Sequence, residues 1–224
     1  MDSRTNEAKE PDERPGKPAP VPRARLDEQV RPAILSVLVL TLLTGVAFPL
    51  VLFALAWPIF PRQAGGSLLR RGGAVVGSRL IGQEFTAPRY FQSRPSAAGS
   101  GYDGTASGGT NLGPNNPTLV NGSADFAGIR QLAAEYRRRN GLAPDAPIPV
   151  DAVTRSGSGL DAHITLANAL LQVPRVAQAR GLSEAEVRRL VTDHLEQPQF
   201  GFLGSPCVSV LELNMALDQM TKRK

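Results

Sequence analysis

Between Arg31 and Arg62 the chain carries no charged side chain, and residues 33–60 read "AILSVLVLTLLTGVAFPLVLFALAWPIF". About 20 such residues suffice to cross the hydrocarbon core of a bilayer as one helix. Ser36, Thr41 and Thr44 fit such a helix, because their hydroxyls can bond back to its carbonyls. Pro49 predicts a kink, and Trp57 is placed to anchor at an interface. A secretory signal would have a shorter apolar core and a small-residue cleavage site. The run here is too long, and "WPIFPRQ" offers no such site. Residues 33–60 therefore read as a retained transmembrane helix.

Its flanks set the orientation. Arg14, Lys17, Arg23, Arg25 and Arg31 precede the run, and Arg62, Arg70, Arg71 and Arg79 follow it. The balance favours a cytoplasmic N-terminus. Residues 1–32 are polar and proline-rich, which predicts a disordered cytoplasmic tail. Residues 61–73, with glycine pairs at 65–66 and 72–73, read as a linker. Residues 74–224 are then an extracytoplasmic globular domain, long enough for one core.

Charge and composition exclude several classes. The chain has 25 Lys+Arg against 20 Asp+Glu, a formal charge of +5. No dense basic stripe with interleaved aromatics exists, so nucleic acid is not a partner. Arg137, Arg138 and Arg139 sit together at the predicted end of a helix, where cations suit the dipole. One cysteine, Cys207, and two histidines, His163 and His194, do not make a tetrahedral zinc site. Cys207, in "CVSVLEL", reads as a small buried hydrophobe.

The soluble part alternates short strand and helix signals. Residues 74–76 and 80–81 read as β-like pieces broken at Gly77. Residues 92–123 are rich in Gly, Ser, Asn and Pro; such a length without periodicity implies a functional or a disordered loop. A helix is expected over 124–140, stopping at Gly141, and a strand over 148–154. Residues 166–180 look helical, with Pro174 forcing a kink or a new start. Ser183 and Glu186 form a capping box ahead of an apolar stripe ending near Leu195, with His194 near that helix's C-terminus. "CVSVLEL" is a strand or strand-to-helix passage. The fold class is α+β: one transmembrane helix, then a single mixed domain with short strands.

Two loops invite chemistry. "TASGGTNLGPNNP", 105–117, is glycine-rich and polar, so its backbone N–H groups could cradle phosphate; it lacks the lysine of a P-loop. "SGSGLDAH", 156–163, carries a G-x-G-x-x-A spacing, but a dinucleotide site needs a doubly wound sheet that the chain is too short of strands to build. Ser158, Asp161 and His163 could suggest a membrane-tethered hydrolase. A nucleophile elbow, however, needs glycine where Ser156 stands, and triad partners usually come from separate elements. The plainer reading is a tight turn in which glycines supply positive φ and Asp161 caps the next segment. No residue is assigned a catalytic or metal-binding role.

Seven stretches, in order, resemble one family. They are "LTLLTGVAFPL" (40–50), "GSRLIGQEF" (77–85), "YFQSRPSA" (90–97), "SGGTNLGPNNP" (107–117), "TRSGSGLDAHIT" (154–165), "LLQVPRVAQARGL" (170–182) and "GFLGSPCVSVLELNMALD" (201–218). Together they resemble the C subunits of Kdp-type potassium-transporting ATPases. The tail is longer than that family leads one to expect, and Ala162 stands where proline is expected.

The resemblance implies a single-pass subunit of the bacterial inner membrane. Its partners would be a channel-like potassium-binding subunit, a P-type ATPase subunit and a small single-helix subunit. It implies no enzymatic activity of its own and no directly bound cofactor, with ATP and potassium entering at the level of the complex. It also implies a role in assembly, and as a "catalytic chaperone" that promotes ATP binding. On that view Ser107, Gly108, Gly109, Thr110 and Asn111 are nucleotide contacts, because "SGGTN" has been likened to an ABC-transporter signature.

The residues themselves point elsewhere. With the N-terminus inside, residues 107–111 lie beyond about 30 Å of hydrocarbon from cytoplasmic ATP. The domain is then expected to cap the channel-like subunit and to act on nucleotide affinity only by coupling. Gly45, Ala47 and Pro49 are the candidate packing positions on the membrane helix.

Overall fold

The computed structural model describes residues 25–222. The chain divides into two units at Pro58–Ile59.

Nearly all the described residues of the first unit belong to a continuous 34-residue helix, Leu26–Ile59, whose last residue is the first of the second unit. It comprises α1 (Leu26–Leu40), a π-helical stretch (Thr41–Ala47) and α2 (Phe48–Ile59). It starts at Leu26, not at residue 33, because Asp27 and Glu28 stand in its first turn, where negative charge suits the helix dipole. Residues 1–24 of the predicted tail lie outside the described residues. Ser36 Oγ donates to the Pro32 carbonyl and Thr44 Oγ1 to the Leu40 carbonyl, both at 2.7 Å. Pro49 does not break the helix. It lacks the N–H that would meet the Gly45 carbonyl, and its ring would clash there. The wide turn directly before it shifts the hydrogen-bond register and relieves that clash. Apart from Ala56, every residue of the helix is exposed within the chain, so its apolar surface is built for a non-aqueous surrounding.

The second unit opens with a short helix, α3 (Pro61–Ala64), and a hairpin of β1 (Leu68–Arg71) and β2 (Ala74–Ser78). The expected linker is therefore structured. Gly72 and Gly73, at φ 57° and 85°, form the two-residue turn between the strands, a turn that needs positive φ at both positions. Gly77 does not interrupt β2. It pairs with Leu69, and its missing side chain leaves room for Gln83, which donates to the Val76 carbonyl at 3.1 Å. Residues 80–81 form a turn, not a strand.

A three-stranded antiparallel sheet follows the order β3 (His163–Thr165), β5 (Cys207–Ser209), β4 (Leu195–Glu196). Three helices cover it: α6 (Leu166–Arg180), α7 (Glu184–Asp193) and α8 (Val210–Lys222). Phe91, Ile164, Val173, Val191, Val208 and Leu213 are central to this core, each no more than 1% exposed. Pro174 leaves α6 unbroken. The Ser183–Glu186 capping box is present, and His194 ends α7, its ring Nδ1 2.9 Å from the Leu190 carbonyl. "CVSVLEL" is the expected strand-to-helix passage, but Cys207 is half-buried rather than buried.

A second apolar cluster joins α5 (Ile129–Asn140) to residues 148–153. α5 starts after Gly128, later than expected, because residues 122–128 fold back on themselves. Ser123 N–H donates to the Phe126 carbonyl at 2.8 Å, and a Cβ on Gly128 would stand 2.2 Å from the Gly122 nitrogen. The expected strand at 148–154 is instead a 3-10 turn, Val150–Ala152, behind Pro147 and Pro149. It delivers Asp151 into the interior.

Candidate functional site

The two glycine-rich loops singled out in the sequence pack on each other. Gly108 N–H donates to the Ser158 carbonyl at 2.9 Å, and Ser107 Oγ donates to the same oxygen at 3.0 Å. Ser96 Oγ donates to the Gly159 carbonyl at 2.6 Å, tying in the chain on the other side. A Cβ at Gly109 would lie 2.8 Å from the Gly157 carbonyl oxygen, and one at Gly159 2.5 Å from the Gly108 carbonyl oxygen. Glycine is required at both positions because two backbones meet there, and Gly159 also sits at φ 68°. The loop over 92–123 is thus pinned despite its lack of periodicity. Asn116 caps a short helix within it, α4 (Pro117–Asn121). Thr110 is partly buried and Asn111 exposed at φ 54°.

The Ser158, Asp161 and His163 set is brought close, but not as a relay. Ser158 Oγ accepts from the Leu160 N–H at 3.1 Å. His163 faces two carboxylates: Nδ1 lies 3.7 Å from Asp161 Oδ1, and Nε2 lies 3.7 Å from Glu196 Oε1. A general base needs one ring nitrogen free toward the nucleophile, and here both face acids. Asp161 takes the expected capping role, accepting the His163 backbone N–H at 3.0 Å.

Glu196 is a junction of the fold. Arg79 donates to Glu196 at 2.8 Å and reaches Glu212 at 3.2 Å, while Arg94 pairs with Asp161 at 2.8 Å. The neighbouring Asp161 and Glu196 carboxylates hold the His163 pKa above its ordinary value, against the opposing effect of burial. Burial alone would raise the Asp161 pKa, but His163 and Arg94 outweigh it and bring it down to about 2.

A buried polar chain also escaped sequence reading. Asp151, 8% exposed, accepts from Thr165 N–H at 2.8 Å, Thr165 Oγ1 at 2.9 Å and Asn168 Nδ2 at 2.9 Å. Tyr136 OH and Gln172 Nε2 both donate to Asn168 Oδ1, at 2.8 and 2.9 Å. Gln172 in turn accepts from Gln92 N–H and Arg175 Nη2, at 2.8 and 2.7 Å. These bonds fasten the long loop to α6. Burial pushes the Tyr136 hydroxyl far up and brings Arg175 down to about 10. A cleft of about 700 Å³ lies alongside, walled by Tyr102, Tyr136, Arg139, Arg155 and Arg175, and residues 107–111 do not line it.

On the long apolar helix, Gly45 opens a notch, its nearest neighbour to an added Cβ being Thr41 Cγ2 at 3.9 Å. Ala47 ends the π-helical stretch and Pro49 follows it. At the other end of the chain, the turn between β4 and β5 exposes Phe200 by 85% and Phe202 by 75%. The uncharged "FGFL" in a stretch bounded by prolines was the signal for this feature.

Comparison with known proteins accounts for how these elements occur together. The family described as "K+-transporting ATPase, c chain" matches residues 30–219. A "Potassium-transporting ATPase KdpC subunit" of Mycobacterium bovis (strain BCG / Pasteur 1173P2) is 49% identical over 192 residues, covering 86% of this chain and 98% of that protein. One of Caulobacter vibrioides (strain NA1000 / CB15N) is 51% identical over 190 residues, covering 84% of this chain and 92% of that protein. One of Rhodopseudomonas palustris (strain TIE-1) is 48% identical over 208 residues, covering 88% and 99%. With matched residues running from the apolar helix to α8, the chain belongs to the K+-transporting ATPase c-chain family, the KdpC subunits.

Proposed function

We propose that this chain is a non-catalytic, membrane-anchored subunit of an ATP-driven potassium uptake complex, with its N-terminus in the cytosol and its second unit outside. The observation that carries this reading is the helix Leu26–Ile59, long and apolar enough to span a bilayer, in a chain of this family. The partners are a channel-like potassium-binding subunit, a P-type ATPase subunit and a small single-helix subunit.

In this reading the extracytoplasmic domain stabilises the channel-like subunit, and any effect on ATP affinity is a coupling free energy transmitted through subunit contacts. The 107–111 segment then serves as a clasp for the 156–163 turn rather than as a phosphate cradle. One observation and one consequence of the proposed topology support this. The Gly108 N–H and Ser107 hydroxyl are spent on Ser158, and the membrane would stand between that loop and cytosolic ATP.

The test is protease accessibility in right-side-out vesicles holding the assembled complex. Protease added outside should cut within residues 90–220, and a cytosol-only reporter fused after Lys224 should stay inactive. Protection of the domain with an active reporter would reverse the topology. Ser158→Ala should leave potassium transport unchanged.

A further inference from the structure

The cleft of about 700 Å³ beside the buried polar chain lies wholly in the second unit, and its wall is positively charged. Four arginines line it, Arg138, Arg139, Arg155 and Arg175, against two glutamates, Glu84 and Glu135. Glu135 is taken by Arg138 and Arg139, which both donate to it. Glu84 is exposed, and solvent screens its charge.

The other two arginines are held by neutral groups. Arg175 donates to the Asn140 and Gln172 side-chain oxygens at 2.9 and 2.7 Å, and to the Tyr90 and Pro88 carbonyls at 3.0 and 2.5 Å. Arg155 donates to the Ala127 carbonyl at 3.1 Å and lies over the Phe126 ring, 4.3 Å from its centre. Among the described residues, no carboxylate forms an ion pair with either. Neutral acceptors fix a guanidinium in place but leave its charge uncompensated. Burial disfavours the charged form of both and lowers both pKa values. An anion in the cleft would offset that cost.

The cleft is also pre-organised. Tyr102 is held at φ 55°, a region unfavourable for a bulky residue. Its N–H donates to Ser96 Oγ at 2.9 Å and its hydroxyl to the Arg94 carbonyl at 2.5 Å. Strain of this kind persists where the surroundings impose it, and it clusters at ligand sites. The volume suits a small ligand.

We propose that this cleft binds a doubly charged oxyanion of the phosphate class, with Arg155 and Arg175 as its cationic ligands. Two uncompensated guanidinium groups match two negative charges, and the planar fork of arginine matches phosphate oxygens. Arg155 makes a single hydrogen bond to the protein, so most donors of its fork remain for the anion. Free phosphate and phospholipid head groups share this chemistry. Because every lining residue belongs to the second unit, the assignment holds on either side of a membrane.

The experiment follows thermal unfolding of the purified full chain in non-ionic detergent and phosphate-free buffer. The additions are inorganic phosphate, a short-chain phosphatidic acid, succinate, and chloride at matched ionic strength. Phosphate or phosphatidic acid should raise the unfolding midpoint saturably, and chloride should not. A response to phosphate alone assigns the free ion, and a response to phosphatidic acid alone assigns the head group. If both act, the one effective at lower concentration is the source. Arg155→Gln should raise the concentration giving half the shift about tenfold. Arg175→Gln should do likewise, each variant being read against its own midpoint without additions. Should the loss of its four bonds unfold Arg175→Gln, Arg155→Gln decides alone. Arg189→Gln, on α7 and outside the cleft, should respond as the unaltered chain does. No shift with phosphate or phosphatidic acid, a stronger response to succinate, or an unchanged response in Arg155→Gln would each overturn the assignment.

Discussion

Gly108 and Ser158 lie back to back, the amide of one donating to the carbonyl of the other at 2.9 Å. This single bond joins the two segments that, read along the chain, were rival candidates for a nucleotide or catalytic site. In space they are halves of one clasp, and the glycines serve the close approach of two backbones.

The clasp sets a first expectation. Gly159→Ala places a Cβ 2.5 Å from the Gly108 carbonyl oxygen at a positive φ. It should cost at least ~2 kcal/mol in denaturant unfolding. Gly109→Ala, crowded by the Gly157 carbonyl oxygen at 2.8 Å, should also destabilise. Gly113→Ala, with nothing within 4 Å, should be neutral to within about 0.5 kcal/mol. Equal effects at Gly109 and Gly113 would refute the close-packing account.

Asp151 is the anchor of the buried polar chain. Asp151→Ala strands three donors from Thr165 and Asn168. The loss should be about 3 kcal/mol, measured as a shift in urea midpoint. Proteolysis should then open the 92–123 loop, because the chain of bonds through Asn168 and Gln172 fastens it.

His163 predicts a pH dependence. Its folded pKa is raised, so the folded state holds this proton more tightly than the unfolded chain does. The stabilisation is fully present below the unfolded value near 6.5 and is lost as pH rises through the higher folded value. Taking the protein from about pH 6 to about pH 8 should lower its unfolding midpoint. His163→Gln should flatten that slope. Glu196→Gln should reduce it in part, since Asp161 remains beside the ring. A slope unchanged in His163→Gln would assign the dependence to another group.

Gly45 tests the membrane helix. With its notch open and the surrounding π-turn in place, Gly45→Leu should reduce recovery of the chain with partner subunits by roughly fivefold or more. The unfolding midpoint of the second unit should not move.

Features governed by neighbouring residues were legible without the fold. The long apolar helix needs only an uncharged run, the Ser183–Glu186 box only an i, i+3 pair, and the α5 stop only Gly141, which takes φ 64°. Where sequence reading failed, it misjudged what glycine and proline do. Gly72–Gly73 make a hairpin turn instead of a linker, the expected kink at Pro49 is preceded by a π-helical stretch in a continuous helix, and Pro147 and Pro149, overlooked in the expected strand, accompany a 3-10 turn that buries Asp151.

By itself, the sequence determined that this chain has a helix long and apolar enough to cross a membrane and a small α+β unit, and its ordered motifs placed it in its family. Those properties arise from hydropathy and periodicity over contiguous residues. Only the tertiary structure decided what the polar residues do: which carboxylates face His163, what Gly108 bonds, and which phenylalanines stay outside. Their partners are remote along the chain, 117 positions for Arg79 and Glu196 and 51 for Ser107 and Ser158. Hydrogen bonds and ion pairs act over a few ångströms, so such pairs exist only once the sheet and helices have brought those segments together.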